Sequence, residues 1–477
     1  MKTEAILQLP IIIQGGMGVG VSSIEMARAV ANMGQLGVLS GTAIDSVFAR
    51  RLQDGDIDGS IRSALKTFPD QESVTEILER YFIEGGRAEN ASYLDVPKLS
   101  LTPTPLATKL LILSSYTEVH LAKRGTDGAI GINFLEKIQM ATPASLFGAI
   151  LAGVDYILMG AGIPTDIPQL IRDLTHGQKV AFKIKVEGAD TARLLNFDPS
   201  IIKGVDFKEI HPPKFLAIVS SHILANYLAR DELTRPDGFV IEGPTAGGHN
   251  APPRAKDSVA PDGQVTFSER DLADIEKVKA VGLPFWLAGG YGTPERVRQA
   301  LELGATGVQV GSLFALARES GIRDELCAQV RGGLTEGTTQ IRTEPKTSAT
   351  GFPFKVVEVP GTASESAVYE ARVRKCDLGY LRSPFLRPDG GVGYRCSGEP
   401  VNSFEFKGGS PEEARDVKCL CNALMANIGL GQVRWGTYRE PALLTLGSDL
   451  SGAVELSALH GGCWTSAHVV EYLTTAL

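Results

Sequence analysis

The 477-residue sequence is 43% hydrophobic and 21% charged, the makeup of a globular chain with a large core. Its net charge of -8 disfavours nonspecific attachment to nucleic acid or to an anionic membrane. No run approaches the roughly 18 consecutive apolar residues of a spanning helix. Six cysteines in this length do not make a secreted disulfide scaffold.

The N-terminal stretch MKTEAILQLPIIIQGG lacks the shape of a secretory leader and enters a short apolar run, so the expected setting is the cytoplasm. In chain order, eight such runs are expected as strands: Ile11–Gln14, Gly37–Ser40, Ala129–Asn133, Tyr156–Met159, Phe215–Val219, Gly238–Glu242, Phe285–Ala288 and Gly307–Val310. Each has the composition of a parallel strand covered on both faces. Amphipathic stretches separate them. In Thr293–Gly304, Thr293 can cap, Pro294 suits the first turn, Val297, Ala300 and Leu301 form the apolar stripe, and Gly304 stops the helix. Repeated strand–helix units of this kind imply an α/β fold with right-handed crossovers. Eight of them imply a closed (β/α)₈ TIM barrel, the open doubly wound sheet being the alternative.

Two insertions interrupt the rhythm. Residues 50–125 hold extra helices and the apolar run LLILSS, and residues 176–214 read as irregular or antiparallel structure with FKIKV as a candidate strand. The barrel is expected over residues 1–335 and a smaller C-terminal region over 336–477. The latter closes on a helical stretch, Ala453–Leu477, broken at Gly461 and Gly462.

Four strand ends are rich in glycine: QGGMGVG at Gln14–Gly20, EGPTAGGHN at Glu242–Asn250, LAGGYGTPERV at Leu287–Val297, and GVQVGSLF at Gly307–Phe314. In an α/β barrel these ends form the active-site face, and the loops after strands seven and eight commonly take phosphate. Glycine there lets backbone N–H groups approach phosphate oxygens. A Rossmann reading of GGMGVG fails on spacing, and strand two ends in Ser40-Gly41 with no acidic partner before Asp45.

These motifs, in this order over residues 8–320, resemble the nitronate monooxygenase family (formerly 2-nitropropane dioxygenases), whose relatives include flavin-dependent enoyl-thioester reductases. The resemblance implies an FMN-dependent oxidoreductase. The FMN phosphate would lie on Gly289, Gly290, Gly311 and Ser312, with Gln309 nearby. Gly16 and Met17 would border the isoalloxazine ring, Asn133 would contact it, and Gly247 and Gly248 would line its far side. The implied substrates are small molecules, a nitronate oxidised with O₂ or an enoyl thioester reduced with NAD(P)H. The long insertions and C-terminal extension look closer to the trans-acting enoyl reductases of polyunsaturated-fatty-acid and polyketide synthases, which brings in a carrier protein as a partner. The oligomeric state stays open.

The sequence departs from the family after strand four. Where the family carries a histidine base, YILMGAGIP places Gly160. His249, in AGGH, is the remaining candidate for substrate contact or proton transfer. Glu242 and Thr245 lie near it in sequence, and the other six histidines lack such context. Cys376, Cys396, Cys419 and Cys421 are dense enough to allow a zinc site or an iron–sulfur cluster, although Cys-x-Cys matches no common knuckle and buried thiols also pack as small hydrophobes. The segment Lys346–Lys355, KTSATGFPFK, is expected as a lid or as a boundary loop. Two competing readings remain. A flavin-binding module of a synthase complex is one, and an aldolase or isomerase is the other. No lysine falls at a strand end to form a Schiff base, Lys183 and Lys185 lying in an insertion, which disfavours the aldolase.

Overall fold

The computed structural model describes residues 9–256, 258–475 and 477. Residues 1–8, on which the reading of the N-terminus partly rests, lie outside the described residues. All eight expected strands form, as β1 (Ile12–Gln14), β2 (Gly37–Ser40), β3 (Ile130–Leu135), β4 (Tyr156–Gly160), β5 (Lys214–Val219), β6 (Gly238–Glu242), β7 (Phe285–Ala288) and β8 (Gly307–Val310). They pair in parallel around a single sheet, and β1 also pairs with β8. The gap between β1 and β2 is closed by Gln14 N–H to the Leu36 carbonyl at 3.0 Å and Leu36 N–H to the Ile12 carbonyl at 3.1 Å. The sheet is therefore a barrel.

Two apolar layers follow from this closure. Inside, Ile13, Val38, Leu158, Leu216, Val240 and Trp286 fill the barrel. Outside, a much larger cluster packs the strands against their helices. The helix Pro294–Glu302 begins where its sequence signals place it, with the Thr293 hydroxyl accepting from Arg296 N–H. LLILSS turns out to lie within one long helix, Pro105–Lys123, whose first turn is capped by Thr104. The second insertion carries an antiparallel hairpin, Val180–Ile184 with Arg193–Phe197.

The C-terminal residues do not stand apart. Two helices, Ser451–Leu459 and Ser466–Thr474, flank the expected glycine break. The second packs between the helix Ile24–Asn32, which follows β1, and the helix Pro294–Glu302, which follows β7. That is the position of the eighth barrel helix. Trp464, fully buried, fixes the approach by donating its indole N–H to the Leu313 carbonyl at 2.8 Å. Among the described residues no helix is long and apolar enough to cross a membrane.

Candidate active site

The C-terminal strand ends open into a cavity of about 250 Å³. Its walls include Gly16, Met17, Asn133, Gly160, Glu242, Gly247, Gly248, His249, Gly289, Gly290, Gln309, Gly311 and Ser312. The structure brings these residues together from six strand ends, as the barrel's geometry allows.

Each wall has a local cause. The buried Gln14 amide holds the first loop, its Nε2 donating to the Gly15 carbonyl and to Ser22 Oγ, while its Oε1 accepts from Val38 N–H. The Ser22 hydroxyl also accepts from Met17 N–H at 2.8 Å, which fixes the turn at the barrel mouth. A Cβ on Gly16 would fall 2.2 Å from Asn133 Cβ, so glycine is what permits Asn133 to reach the cavity. After β7 the chain passes through Gly289 and Gly290 with φ of +84° and +81°. A Cβ on Gly289 would meet the Gly243 carbonyl at 2.9 Å. Left-handed backbone and close approach together restrict this turn to glycine.

Two features mark the cavity as built for a polar guest. Asn133 Oδ1 and Gln309 Oε1 are buried and accept no hydrogen bond among the described residues. Unpaired buried acceptors are costly, about 1–3 kcal/mol each, and are resolved by a donor from a ligand. The backbone N–H groups of Gly289, Gly290, Tyr291 and Gly292 likewise donate to no protein acceptor among the described residues. Unpaired acceptors together with a loop of free N–H groups suit a flat N–H-bearing heterocycle with an anionic tail.

The protonation states differ from what residue type suggests. Burial, assisted by the charge of Lys137, pushes His249 down to about 4, so its imidazole is neutral at physiological pH. Its Nε2 lies 2.6 Å from Ser348 Oγ, and its ring meets Phe354 edge-on at 4.9 Å. Burial pushes Glu242 up to about 7 against the pull of Lys355, and burial pushes Lys355 down to about 8. Gly160 lines the cavity as the sequence placed it, and a Cβ there would sit 2.9 Å from Ile218 Cβ. A histidine does not fit that position without moving Ile218.

Sequence reasoning missed the contribution of the distant C-terminal residues. Thr445, Leu446, Gly447 and Asp449 line the cavity. Gly248 N–H donates to Thr445 Oγ1, Gly447 N–H to Ser312 Oγ, and Ser448 N–H to the Thr245 carbonyl, each at 2.8–2.9 Å. The only hint in sequence is a polar Gly-Ser-Asp turn following the apolar run Ala442–Leu446. Part of Lys346–Lys355 also borders the site. Phe354 forms a bridge with His249, Lys355 N–H donates to the Gly248 carbonyl, and Asn250 N–H donates to the Pro353 carbonyl.

Asp449 brings a carboxylate from a distant part of the chain to the Gly289–Gly290 turn. Its Oδ2 lies 3.5 Å from where a Cβ on Gly290 would stand. Its other oxygen accepts from Ser451 N–H and Ser451 Oγ at the start of the helix Ser451–Leu459. Asp449→Asn keeps the capping geometry and removes the charge. We expect the variant to bind an anionic cofactor about tenfold more tightly, measured by fluorescence titration of the apoprotein. Unchanged or weaker binding places the anion elsewhere.

The metal reading of the cysteines is corrected. Among the described residues no three His, Cys, Asp or Glu side chains are arranged to hold a metal ion. Cys376, Cys396, Cys419 and Cys421 are free thiols. Burial raises all four, reinforced by neighbouring cysteines at Cys396, Cys419 and Cys421, with Cys396 pushed up to about 12 and Cys419 to about 11. Protonated thiols in such surroundings behave as small hydrophobes.

Comparison with known proteins gives a family match over part of the chain and a shared fold. Residues 210–344 match the family model for nitronate monooxygenase. The structure of FabK from Thermotoga maritima aligns with a TM-score of 0.50 at 16% identity, covering 98% of this chain and 94% of that one. A nitroalkane oxidase from Streptomyces ansochromogenes aligns at 0.45 and 14% identity, covering 99% and 96%. The enoyl reductase domain of MlnA, from the macrolactin cluster of Bacillus amyloliquefaciens, aligns at 0.39 and 14%, covering 76% and 66%. No curated protein sequence matches significantly. The FabK likeness shows the barrel fold, and the matched segment spans β5 to β8 with the loops that form half of the cavity. Over residues 210–344 this chain is therefore similar in sequence to nitronate monooxygenase, and over nearly its whole length it shares the barrel fold of FabK.

Proposed function

We propose that the cavity binds FMN and that the protein oxidises nitronates with O₂. The observation that carries this reading is the combination of a preformed cofactor seat with Gly160 where a histidine base is expected. The seat fits the cofactor. The N–H groups of Gly289 and Gly290, with Gly311 and Ser312 opposite, would take the phosphate. The unpaired oxygens of Asn133 and Gln309 would accept from the ring's imide N–H and nearby donors. Met17 and Gly16 would border the ring, and Gly247 and Gly248 would bound the substrate side.

Bound FMN supplies an electron acceptor that O₂ can re-oxidise. The remaining work falls to the chain: excluding water with Phe354 and Leu446, and orienting the substrate against neutral His249, which serves as a hydrogen-bond partner and not as a charge. A preformed nitronate needs no deprotonation. A neutral nitroalkane does, and glycine at position 160 offers no group within reach.

Anaerobic bleaching of the flavin tests this directly. Ethylnitronate is expected to reduce the enzyme at least about tenfold faster than nitroethane. Protein purified without flavin overturns the cofactor assignment. Rapid reduction by NADPH or NADH with neither nitro compound active replaces the reading by enoyl-thioester reduction, with the thioester delivered on a carrier protein.

A further inference from the structure

Glu242 ends β6, paired in register with Ala288 of β7. It lines the main cavity and also a second one of about 50 Å³, bordered by Ser220, Asn250, Arg254 and Asp271. The smaller cavity has room for one or two water molecules, at about 30 Å³ each. Among the described residues nothing hydrogen-bonds the Glu242 carboxylate, and Lys355 is the only charge acting on it strongly. Lys355 is itself buried, and its Nζ is held by Thr343 Oγ1 at 2.8 Å. The other ionisable groups lining these cavities are His249, Tyr291 and Asp449 on the main one and Arg254 and Asp271 on the small one.

We propose that Glu242 is the general base of this site, taking the proton-abstracting role that Gly160 leaves vacant. A carboxylate between a substrate cavity and a water-sized pocket has a proton source on one face and an exit on the other. In the forward step a Glu242 oxygen bonds the α-proton of a neutral nitroalkane as the C–H bond breaks. The C–H electron pair moves into the nitro group, giving the nitronate, and the proton passes to water in the small cavity as the carboxyl re-ionises. Glu242 is raised to about 7, so its base form is present at neutral pH and retains real basicity. His249, lowered to about 4 and engaged with Ser348, is the weaker base.

The inference rests on the functional reading above, and the experiment separates the two. Anaerobic flavin reduction by nitroethane and by ethylnitronate is followed from pH 5 to 9 in the wild type, Glu242→Gln and Glu242→Asp. In the wild type the nitroethane rate is expected to rise with pH and level off above about pH 7, whereas the ethylnitronate rate lacks that break. In Glu242→Gln the ratio of nitroethane to ethylnitronate rates falls about 100-fold. Without substrate, the wild-type flavin spectrum is expected to titrate with a midpoint near pH 7, a shift lost in Glu242→Gln. If Glu242→Gln loses its flavin, Glu242→Asp decides, since its shorter carboxylate keeps a pH break and lowers the nitroethane rate. An unchanged ratio in Glu242→Gln, a break absent from Glu242→Asp, or a break abolished by His249→Ala and kept in Glu242→Gln overturns the proposal. Failure of ethylnitronate to reduce the wild type overturns the functional reading instead.

Discussion

Gly290→Asp and Gly311→Asp are each expected to purify as folded barrels that retain no FMN. At about 4 Å, with an effective dielectric near 20, one pair of like charges costs about 4 kcal/mol, a roughly thousandfold loss of affinity before the second phosphate charge is counted. The two positions isolate different contributions. Gly290 has φ +81°, so any side chain there adds about 1–2 kcal/mol of backbone strain, and the new carboxylate lands beside Asp449. Gly311 has φ -112°, a conformation open to any residue, and a Cβ there only touches Met17 Sδ at 3.5 Å. Gly311→Ala therefore serves as the steric control and should keep most of its flavin, while Gly311→Asp should lose it. Flavin-to-protein absorbance ratios after gel filtration give the answer. Full occupancy in either aspartate variant means that the phosphate lies elsewhere.

Trp464→Ala is expected to cost about 3–5 kcal/mol of stability. The indole is fully buried, its N–H satisfies the Leu313 carbonyl at 2.8 Å, and the Trp464 carbonyl accepts from Arg318 N–H at 2.9 Å. Truncation leaves a large cavity between the last helix and the barrel and strands a buried carbonyl. Trp464→Phe keeps most of the volume but loses the hydrogen bond, and should cost about 1–3 kcal/mol. Because Leu313 lines the cofactor cavity, the alanine variant should also bind FMN more weakly. Urea midpoints with and without added FMN measure both effects. A shift below about 1 kcal/mol in Trp464→Ala means that the last helix contributes little to holding the barrel shut.

The barrel was legible because its signals are local. A parallel strand buried on both faces is a short apolar run, and its loop must begin with residues that allow a sharp turn, so glycine marks the same strand ends that carry the site. The two apolar runs outside the barrel rhythm show the limit. FKIKV became a hairpin strand, whereas LLILSS became helix, because a short apolar run alone does not distinguish the two. The site was legible as far as it depended on strand ends. Thr445–Asp449 was not, since nothing local tells that a turn about 130 residues after β8 folds back onto it. Glu242 was visible as a residue near the loop but not as a group with a raised affinity for protons. That property comes from burial, which outweighs the opposing pull of Lys355 from a different part of the sequence. The cysteines illustrate the reverse case, where proximity along the chain suggested a metal and the arrangement of side chains does not provide one.

The position of the helix Ser466–Thr474 governs the order in which the molecule can be assembled. An eighth helix joined directly to β8 would close a loop of about 15 residues, whereas this one closes about 150, raising the entropic cost of closure by roughly 2 kcal/mol. The burial of Trp464 is large enough to offset that difference, so the arrangement costs little once complete. Its effect is on timing. During synthesis the eight strands can emerge and pair while the gap between the first and seventh helices is still uncovered. The turn at Thr445–Asp449 follows much later, so the cofactor seat exists as an open dish before it has its far wall. A nascent chain paused after β8 would expose a strip of apolar surface along that gap, and FMN arriving early would meet the Gly289–Gly290 turn without the negative charge of Asp449 beside it.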